Sequence, residues 1–247
     1  MTDMEIRTER LRQIKGVIFD CDGVLFDSLE SNKRYYNSIL AHLGLGPMNP
    51  EQERFVHMHV VQAALDFIVP ASHKGEVEAA RQKVDYFTEI MPFLTPEPGI
   101  FELLDQLRDV GIRLAVSTNR TTTMDRLAWR FGLHRYFFPI MTAHTARPKP
   151  HPEGVHHILR AWGIDPATVA FVGDSDLDEA TARAAGVTFW AYRNPNLNAA
   201  MHVSCFWALA LDMQLRQRSK EKWLPRSAGQ TPATSKSKGR TPRQGNQ

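Results

Sequence analysis

Short apolar runs alternate with amphipathic segments over the second half of the chain, and this alternation constrains the fold more than any other feature. The runs 112–116, 169–172 and 187–191 have the length of buried strands, and segments with helical periodicity separate them. Strands that alternate with helices form a parallel sheet that is covered by helices on both faces. We therefore predict an α/β fold with a three-layer core.

Two carboxylates follow an earlier apolar run, 17–19, which is a further candidate strand of this sheet. Because side chains alternate along an extended strand, Asp20 and Asp22 point to one side and Cys21 points to the other. Two carboxylates this close repel each other, unless a cation lies between them or they hold different protons. Both arrangements favour a catalytic role for this pair over a purely structural one.

Further polar residues follow other predicted strands. In parallel sheets the chemistry lies beyond the carboxyl ends of the strands, so side chains at those ends converge. Taken singly, each of these residues has an ordinary explanation as a helix cap, a turn former or a solvated lysine. Their occurrence together predicts one site. Besides Asp20 and Asp22, the residues of the predicted site are Thr118, Asn119, Lys149, Asp174 and Asp178.

Lys149 lies in a loop after a predicted strand at 137–141, and prolines restrict the backbone on both sides of it. Pro148 and Pro150 flank it directly, and Pro152 suits the first position of the helix that follows. A stiff segment loses less entropy when it presents a charge to a ligand. We therefore interpret Lys149 as a binding group rather than as a solvated lysine.

The segment 29–91 contains no convincing strand, and its apolar residues recur at helical spacing. A short extended segment at 24–28 precedes it, and a proline-rich stretch follows it. This pattern predicts an all-helical domain, 29–91, that is inserted into a core formed by residues 1–28 and 92–215.

The C-terminal segment differs from the rest of the chain in charge. Residues 216–247 include nine lysines or arginines and one acid, whereas the remainder has 21 basic and 26 acidic residues. This segment has almost nothing to bury, so we predict a basic, disordered tail. Such a tail offers a surface to RNA or another polyanion, but a solvated extension without a partner is the favoured interpretation. A nucleic-acid partner is therefore not expected.

Cysteine content and the apolar runs bear on the compartment. Two cysteines, Cys21 and Cys205, cannot form a disulfide framework, which fits a reducing cytoplasm. No apolar run approaches the roughly 20 residues of a membrane helix. The first 15 residues carry seven charges of both signs and lack the apolar core of a signal peptide. We expect a cytoplasmic protein without a membrane partner, and the sequence leaves the oligomeric state open.

Four motifs of the chain resemble those of one enzyme family. They are DCDGVLFDS at 20–28, VSTN at 116–119, RPKPHPEG at 147–154 and GDSDLDEATARAAG at 173–186. In this order they are similar to the haloacid dehalogenase (HAD) superfamily, in its phosphoglycolate phosphatase-like branch. The resemblance implies a Rossmann-like core with a parallel sheet and an inserted helical cap of the C1 type. The motifs specify the superfamily far better than the substrate.

The resemblance also implies an activity, which is hydrolysis of a small phosphorylated metabolite through an aspartyl-phosphate. In this mechanism Asp20 attacks phosphorus. Asp22 first protonates the leaving oxygen and then deprotonates the attacking water. Thr118 and Lys149 bind the phosphoryl oxygens or offset their charge, and Asn119 is a weaker candidate for the same task.

Mg²⁺ is the cofactor that the resemblance implies. Its ligands are the side chains of Asp20 and Asp174 and the backbone carbonyl of Asp22, with the substrate phosphate and waters completing an octahedron. Asp178 acts nearby, through a water molecule or by a hydrogen bond to another ligand.

Other functions remain open at this stage. A phosphosugar mutase keeps Asp20, Asp22 and the metal, so the core motifs do not exclude it. A dehalogenase of this superfamily lacks the second acid that Asp22 provides. A phosphonate hydrolase needs a cap lysine, and residues 34–73 contain none. A non-catalytic binding protein that uses the basic tail ranks last, because every catalytic position of the motifs is filled.

Overall fold

A six-stranded parallel sheet forms the centre of the fold. In a computed structural model, which describes residues 13–58 and 61–211, the strand order is 140–141, 113–117, 16–19, 169–173, 188–192 and 201–203. Each pair of neighbours in this sheet is parallel. The predicted tail, 216–247, lies outside the described residues. In chain order the strands of this sheet are β1 (Gly16–Phe19), β4 (Arg113–Ser117), β5 (Ile140–Met141), β6 (Val169–Gly173), β7 (Thr188–Tyr192) and β8 (Met201–Val203). The strands β2 (Phe26–Asp27) and β3 (Thr95–Pro96) belong to a second, two-stranded sheet.

Helices occupy the long segment after β1 and the segments between the later strands as far as β7, whereas residues 193–200 between β7 and β8 form no helix. Among the described residues, no helix combines the length and the apolar character that crossing a membrane requires. After β1, the described residues form the α-helices α1 (Leu29–His42), α2 (Pro50–Met58), α3 (Val61–Ile68) and α4 (Val77–Lys83). The next four are α5 (Ile100–Asp109), α6 (Thr123–Arg130), α7 (Glu153–Trp162) and α8 (Asp176–Ala185).

Two apolar clusters cover the two faces of the sheet. Val17 and Phe19 of β1 belong to one cluster, together with Leu103 of α5. Ile18 belongs to the other cluster, together with Ile158 of α7. Successive residues of β1 therefore face opposite layers, which explains why the strand is an unbroken apolar run. The predicted three-layer α/β core is confirmed.

The four helices between β1 and α5 enclose an apolar core of their own. Its buried residues include Tyr36 and Ile39 of α1 and Leu65 of α3. After α4 the chain forms a π-helical turn, Tyr86–Ile90, and a 3-10 turn, Met91–Phe93, before it returns to the sheet. The predicted helical cap inserted into the core is confirmed as an architecture, and its boundaries stay a prediction.

Two short strands mark where the chain enters and leaves this cap. They are β2 (Phe26–Asp27) and β3 (Thr95–Pro96), and they pair antiparallel in a separate two-stranded sheet. Phe26 lies opposite Pro96, and Asp27 lies opposite Thr95. The two crossings between core and cap are therefore hydrogen-bonded to each other.

Three strands differ from the sequence-based expectation, and one of them is β3, which lies in the proline-rich stretch after the predicted helical domain. β8 was not predicted, because it has only three residues at the edge of the sheet and its His202 is exposed. The predicted strand at 137–141 is reduced to β5. Phe138 is 75% exposed rather than facing a core, and Pro139 has no N–H to give to a ladder.

Candidate active site

Asp20 lies directly after β1 and is buried. Its backbone N–H donates to the carbonyl of Val172 at 2.9 Å, which fixes it at the carboxyl edge of the sheet. The Nζ of Lys149 lies 2.7 Å from its Oδ1. Burial raises the pKa of the Asp20 carboxyl well above its usual range, and the charge of Lys149 opposes this effect. Asp20 therefore depends on neighbouring cations to be ionised near neutral pH.

Lys149 is buried between two carboxylates. Its Nζ lies 2.7 Å from Oδ1 of Asp20 and 2.5 Å from Oδ1 of Asp178. Burial by itself lowers the pKa of a lysine, but the charges of Asp178 and Asp20 outweigh it and raise the pKa of Lys149. The ammonium group therefore stays charged in the interior. Lys149 is therefore not the solvated loop lysine that its position in the chain also allowed, because it is only 8% exposed.

Asn119 holds the backbone of Lys149. The N–H of Lys149 donates to Oδ1 of Asn119 at 2.7 Å, and Nδ2 of Asn119 donates to the carbonyl of Lys149 at 3.1 Å. The side-chain amide thus joins the loop after β4 to the loop that carries the lysine. Contact of Asn119 with a substrate stays a prediction, and in this structure its amide acts on the site through Lys149.

Thr118 directly follows the strand β4 at the same edge of the sheet and is 4% exposed. Its N–H donates to the carbonyl of Met141 at 3.0 Å, and its Oγ1 accepts from the N–H of Arg120 at 3.1 Å. The structure therefore places Thr118 after β4 at the edge of the sheet where Asp20 follows β1, since β1 and β4 are parallel neighbours. Its contact with a phosphoryl oxygen stays a prediction.

The loop between β6 and α8 is fixed by a capping box. Oδ2 of Asp178 accepts from the N–H of Ser175 at 3.2 Å and from its hydroxyl at 2.6 Å, and Oγ of Ser175 accepts from the N–H of Asp178 at 3.4 Å. Asp178 is fully buried, and its other oxygen contacts Lys149. Both oxygens of Asp178 are thus engaged, which suits the indirect role that the family resemblance implies for it.

Three carboxylates form an acidic cluster at this edge, and the cluster consists of Asp20, Asp174 and Asp178. One oxygen from each lies within 4.8 Å of the other two. Burial, followed by the charge of Asp178, raises the pKa of Asp174 to about 7. Gly23, with φ of +74°, lets the loop approach, because a Cβ at this position would collide with the carboxylate of Asp174.

The chemistry of the acidic cluster fits a divalent cation. Within the described residues, Lys149 alone is bonded to two of its carboxylates, and one ammonium does not balance three carboxylates. Hard cations take oxygen ligands of this type and offset the like-charge repulsion that, after burial, raises the pKa of Asp174. The residues present are therefore suited to hold Mg²⁺ or a similar ion.

Asp22 faces a different partner, Arg120. Its Oδ2 accepts from Nε of Arg120 at 2.8 Å, and its Oδ1 accepts from Nη2 at 2.6 Å. The carboxylate of Asp22 lies outside the acidic cluster, so its predicted metal contact concerns only the backbone carbonyl. The sequence pattern assigned no role to Arg120. Its position directly after VSTN was the available signal, but a chain position does not reveal a side chain's partner.

Comparison with protein families decides which enzyme family this site belongs to. The model of the haloacid dehalogenase-like hydrolases matches residues 17–192. The chain is a haloacid dehalogenase-like hydrolase. The match includes all of the predicted site residues, from Asp20 to Asp178, and the strands of the sheet from the second residue of β1 to the end of β7.

Curated relatives of this haloacid dehalogenase-like hydrolase are named phosphatases. A phosphoglycolate phosphatase of Chromobacterium violaceum is 31% identical over 192 residues, which cover 71% of this chain and 83% of the relative. An N-acetylmuramic acid 6-phosphate phosphatase of Pseudomonas aeruginosa is 31% identical over 194 residues, which cover 75% of this chain and 84% of the relative. The predicted enzyme class, a phosphoric monoester hydrolase, is confirmed. Equal identity to relatives with different named substrates does not select the ester.

Solved structures agree with this assignment. A HAD-superfamily hydrolase of subfamily IA from Geobacter sulfurreducens is 38% identical and aligns with a TM-score of 0.71 over 81% of this chain and 96% of its own. A haloacid dehalogenase-like protein of Streptococcus pneumoniae has the same TM-score at 18% identity, which shows the shared fold alone.

Proposed function

We propose that this hydrolase is a Mg²⁺-dependent phosphatase that cleaves a small phosphorylated metabolite through an aspartyl-phosphate on Asp20. The observation that carries the proposal is the buried Asp20 carboxylate, 2.7 Å from Lys149 Nζ and within a cluster of three carboxylates. A carboxylate nucleophile must approach an anionic phosphate, so it needs nearby cations that offset both charges. Lys149 supplies one such charge at the attacking group.

The first half of the reaction transfers the phosphoryl group to the protein. One oxygen of Asp20 attacks phosphorus, the bond between phosphorus and the ester oxygen breaks, and Asp22 gives a proton to the leaving alkoxide. In the second half, Asp22 accepts a proton from water as the water oxygen attacks phosphorus. The bond between phosphorus and Asp20 then breaks, which restores the carboxylate and releases inorganic phosphate.

The other residues of the site bind and orient. Lys149 and Thr118 are assigned to the phosphoryl oxygens, and Asn119 keeps Lys149 in place through its backbone. When bound, Mg²⁺ supplies positive charge that lowers the repulsion between Asp20 and the phosphate. Its proposed ligands, besides Asp20, are Asp174, the backbone carbonyl of Asp22 and, through water or a hydrogen bond, Asp178.

The test is phosphate release from a panel of small phosphate esters, with Mg²⁺ and with a chelator. The panel includes phosphoglycolate, hexose phosphates and N-acetylmuramic acid 6-phosphate, because the relatives at 31% identity carry two of these names. We expect release that depends on Mg²⁺ and that ranks the esters. Release that persists at full rate in chelator contradicts the metal assignment. Isomerisation of a hexose phosphate without net release favours a mutase instead.

Substitution of Asp174 separates metal binding from stability. The pKa of the Asp174 carboxyl rises from 3.8 to about 7 on folding. The contribution of this carboxyl to the free energy of unfolding is therefore present below about pH 4 and is lost as the pH rises through 7. Asn does not ionise. In chelator at pH 8 we therefore expect Asp174→Asn to stabilise the protein by about 1 to 3 kcal/mol. The same variant is expected to lose most of the stabilisation that Mg²⁺ gives the wild type.

Thermal unfolding at pH 8 and pH 4, each with chelator or with Mg²⁺, measures the stability change of Asp174→Asn and its response to Mg²⁺. At pH 4 the stability difference is expected to fall below about 1 kcal/mol, because Asp174 is then protonated in the folded state and partly protonated in the unfolded state, where its pKa is 3.8. Asp176→Asn is the matched control, since Asp176 is exposed two residues further along the same loop and helix. An Asp174→Asn protein that responds to Mg²⁺ like the wild type contradicts the assignment of this ligand.

A further inference from the structure

Arg120 connects Asp22 to the segment by which the chain leaves the cap. Two of its nitrogens donate to the two oxygens of Asp22, and Nη1 donates to the hydroxyl of Tyr86 in the π-helical turn. The guanidinium also lies 5.6 Å from the centre of the Tyr86 ring. A side chain of the core thus contacts a proposed catalytic residue and the cap at the same time.

The burial of Arg120 shows that this contact is well defined. Its side chain is 9% exposed, whereas that of Asp22 is 34% exposed. A buried guanidinium is costly unless it is paired and hydrogen-bonded, and a two-pronged pair with a carboxylate meets both conditions. The backbone N–H of Arg120 is bonded to Thr118 at the end of β4, so the base of the side chain is also fixed. Arg120 makes two hydrogen bonds to the more exposed Asp22 carboxylate, and their loss is expected to let that carboxylate rotate.

The pairing matches the ionised form of Asp22, which the reaction uses in its second half. Each carboxylate oxygen accepts one N–H from Arg120, and a carboxylate has about four lone-pair sites in all. A site therefore remains on Asp22 for the proton of the attacking water. Arg120 keeps all of its own protons, because an arginine is not deprotonated in proteins.

We propose that Arg120 is a positioning residue that holds the Asp22 carboxylate for activation of water, and that the Tyr86 hydroxyl makes this alignment depend on docking of the cap. The inference rests on the proposed function, since it takes Asp22 as the base that cleaves the aspartyl-phosphate. In that step the water proton passes to Asp22, the water oxygen bonds to phosphorus, and Asp20 leaves as a carboxylate.

Arg120→Gln tests the proposal with p-nitrophenyl phosphate, whose leaving group needs no proton. General base catalysis is worth about 10²- to 10⁴-fold, so misplacing the base is expected to lower kcat about 10- to 100-fold. Formation of the aspartyl-phosphate is not affected, so kcat/KM is expected to stay within about 3-fold. A pre-steady-state burst of about one p-nitrophenolate per enzyme is expected, because the phosphoenzyme accumulates.

Two further variants and one control make the result specific. Tyr86→Phe removes only the hydroxyl, and we expect the same pattern with a smaller loss of kcat. Arg120→Lys retains the charge but not the two-pronged geometry, and an intermediate kcat is expected. Arg126→Gln is the control, because Arg126 packs over the neighbouring Phe87 ring at 4.1 Å. It is expected to keep kcat and to show no burst.

A double-mutant comparison shows whether Arg120 acts through Asp22. In an Asp22→Asn background, Arg120→Gln is expected to change kcat by less than about 3-fold. The inference is overturned if Arg120→Gln lowers kcat equally in the wild-type and Asp22→Asn backgrounds. It is also overturned if kcat and kcat/KM fall in parallel, without a burst, in a variant that unfolds like the wild type. A wild type without Mg²⁺-dependent release contradicts the proposed function itself, whereas an active wild type with unaffected Arg120 variants contradicts only this inference.

Discussion

Replacement of Asp20 by Asn is expected to reduce phosphate release by at least about 10⁴-fold while leaving the fold intact. The amide has nearly the shape of the carboxylate, and its oxygen still accepts from Lys149, so packing around β1 is retained. An amide is not a nucleophile toward phosphorus, and the proposed mechanism offers no second group that forms the covalent intermediate. Phosphate release at saturating ester and Mg²⁺ measures the effect.

The Asp20→Asn experiment has a matched control in the same segment. Asp27 is an exposed aspartate of β2, and its Oδ1 accepts from the N–H of Leu29, a bond that Asn also accepts. Asp27→Asn is therefore expected to keep its activity. Thermal unfolding of both variants verifies the fold. An Asp20→Asn protein that turns over at a tenth of the wild-type rate removes Asp20 as the nucleophile.

Replacement of Lys149 by Met is expected to impair both activity and stability. Loss of one donor to a developing phosphoryl charge typically costs about 10²- to 10³-fold in kcat. Removal of one partner from a buried ion pair typically costs about 3 to 5 kcal/mol. Here it leaves the carboxylates of Asp20 and Asp178 without the ammonium that contacts both. Met has a similar length and leaves no large cavity, so the stability change reports mainly the lost charge.

Mg²⁺ is expected to restore part of the stability of Lys149→Met but not its kcat, because a cation in the acidic cluster offsets the carboxylates without replacing the lysine at the phosphate. Thermal unfolding with and without Mg²⁺ measures the first effect, and steady-state kinetics measure the second. Lys83→Met, at the exposed end of α4, is the control for loss of a lysine as such. A Lys149→Met protein with unchanged kcat and stability contradicts the role given to this residue.

The sequence predicted the convergence of Asp20, Lys149 and Asp174 because a parallel sheet brings its strand ends to one edge. The strands β1, β4, β6 and β7 are buried on both faces, so their apolar runs were visible without any knowledge of the fold. The short edge strand β8 has no such run. Periodicity therefore predicted the centre of the sheet well and its edge poorly.

The contacts between the site residues were less predictable than the identity of those residues. Asn119 clamps the backbone of Lys149, and Arg120 pairs with Asp22, through loops whose backbone conformation no periodic pattern encodes. Residues 119 and 149 are 30 positions apart, and residues 22 and 120 are 98 apart. The residue preferences of turns reflect interactions between near neighbours in the chain, so they do not predict contacts between residues this far apart in sequence.

The antiparallel pair of β2 and β3 has a consequence for how such a protein can diversify. Because Phe26 lies opposite Pro96, the two ends of the inserted segment are about 5 Å apart, which is the spacing of one strand pair. Insertions whose ends lie this close disturb a host domain little. The helical segment is therefore placed to be exchanged as one module, and a chimera that carries another cap between these two strands is expected to keep the register of the six-stranded sheet.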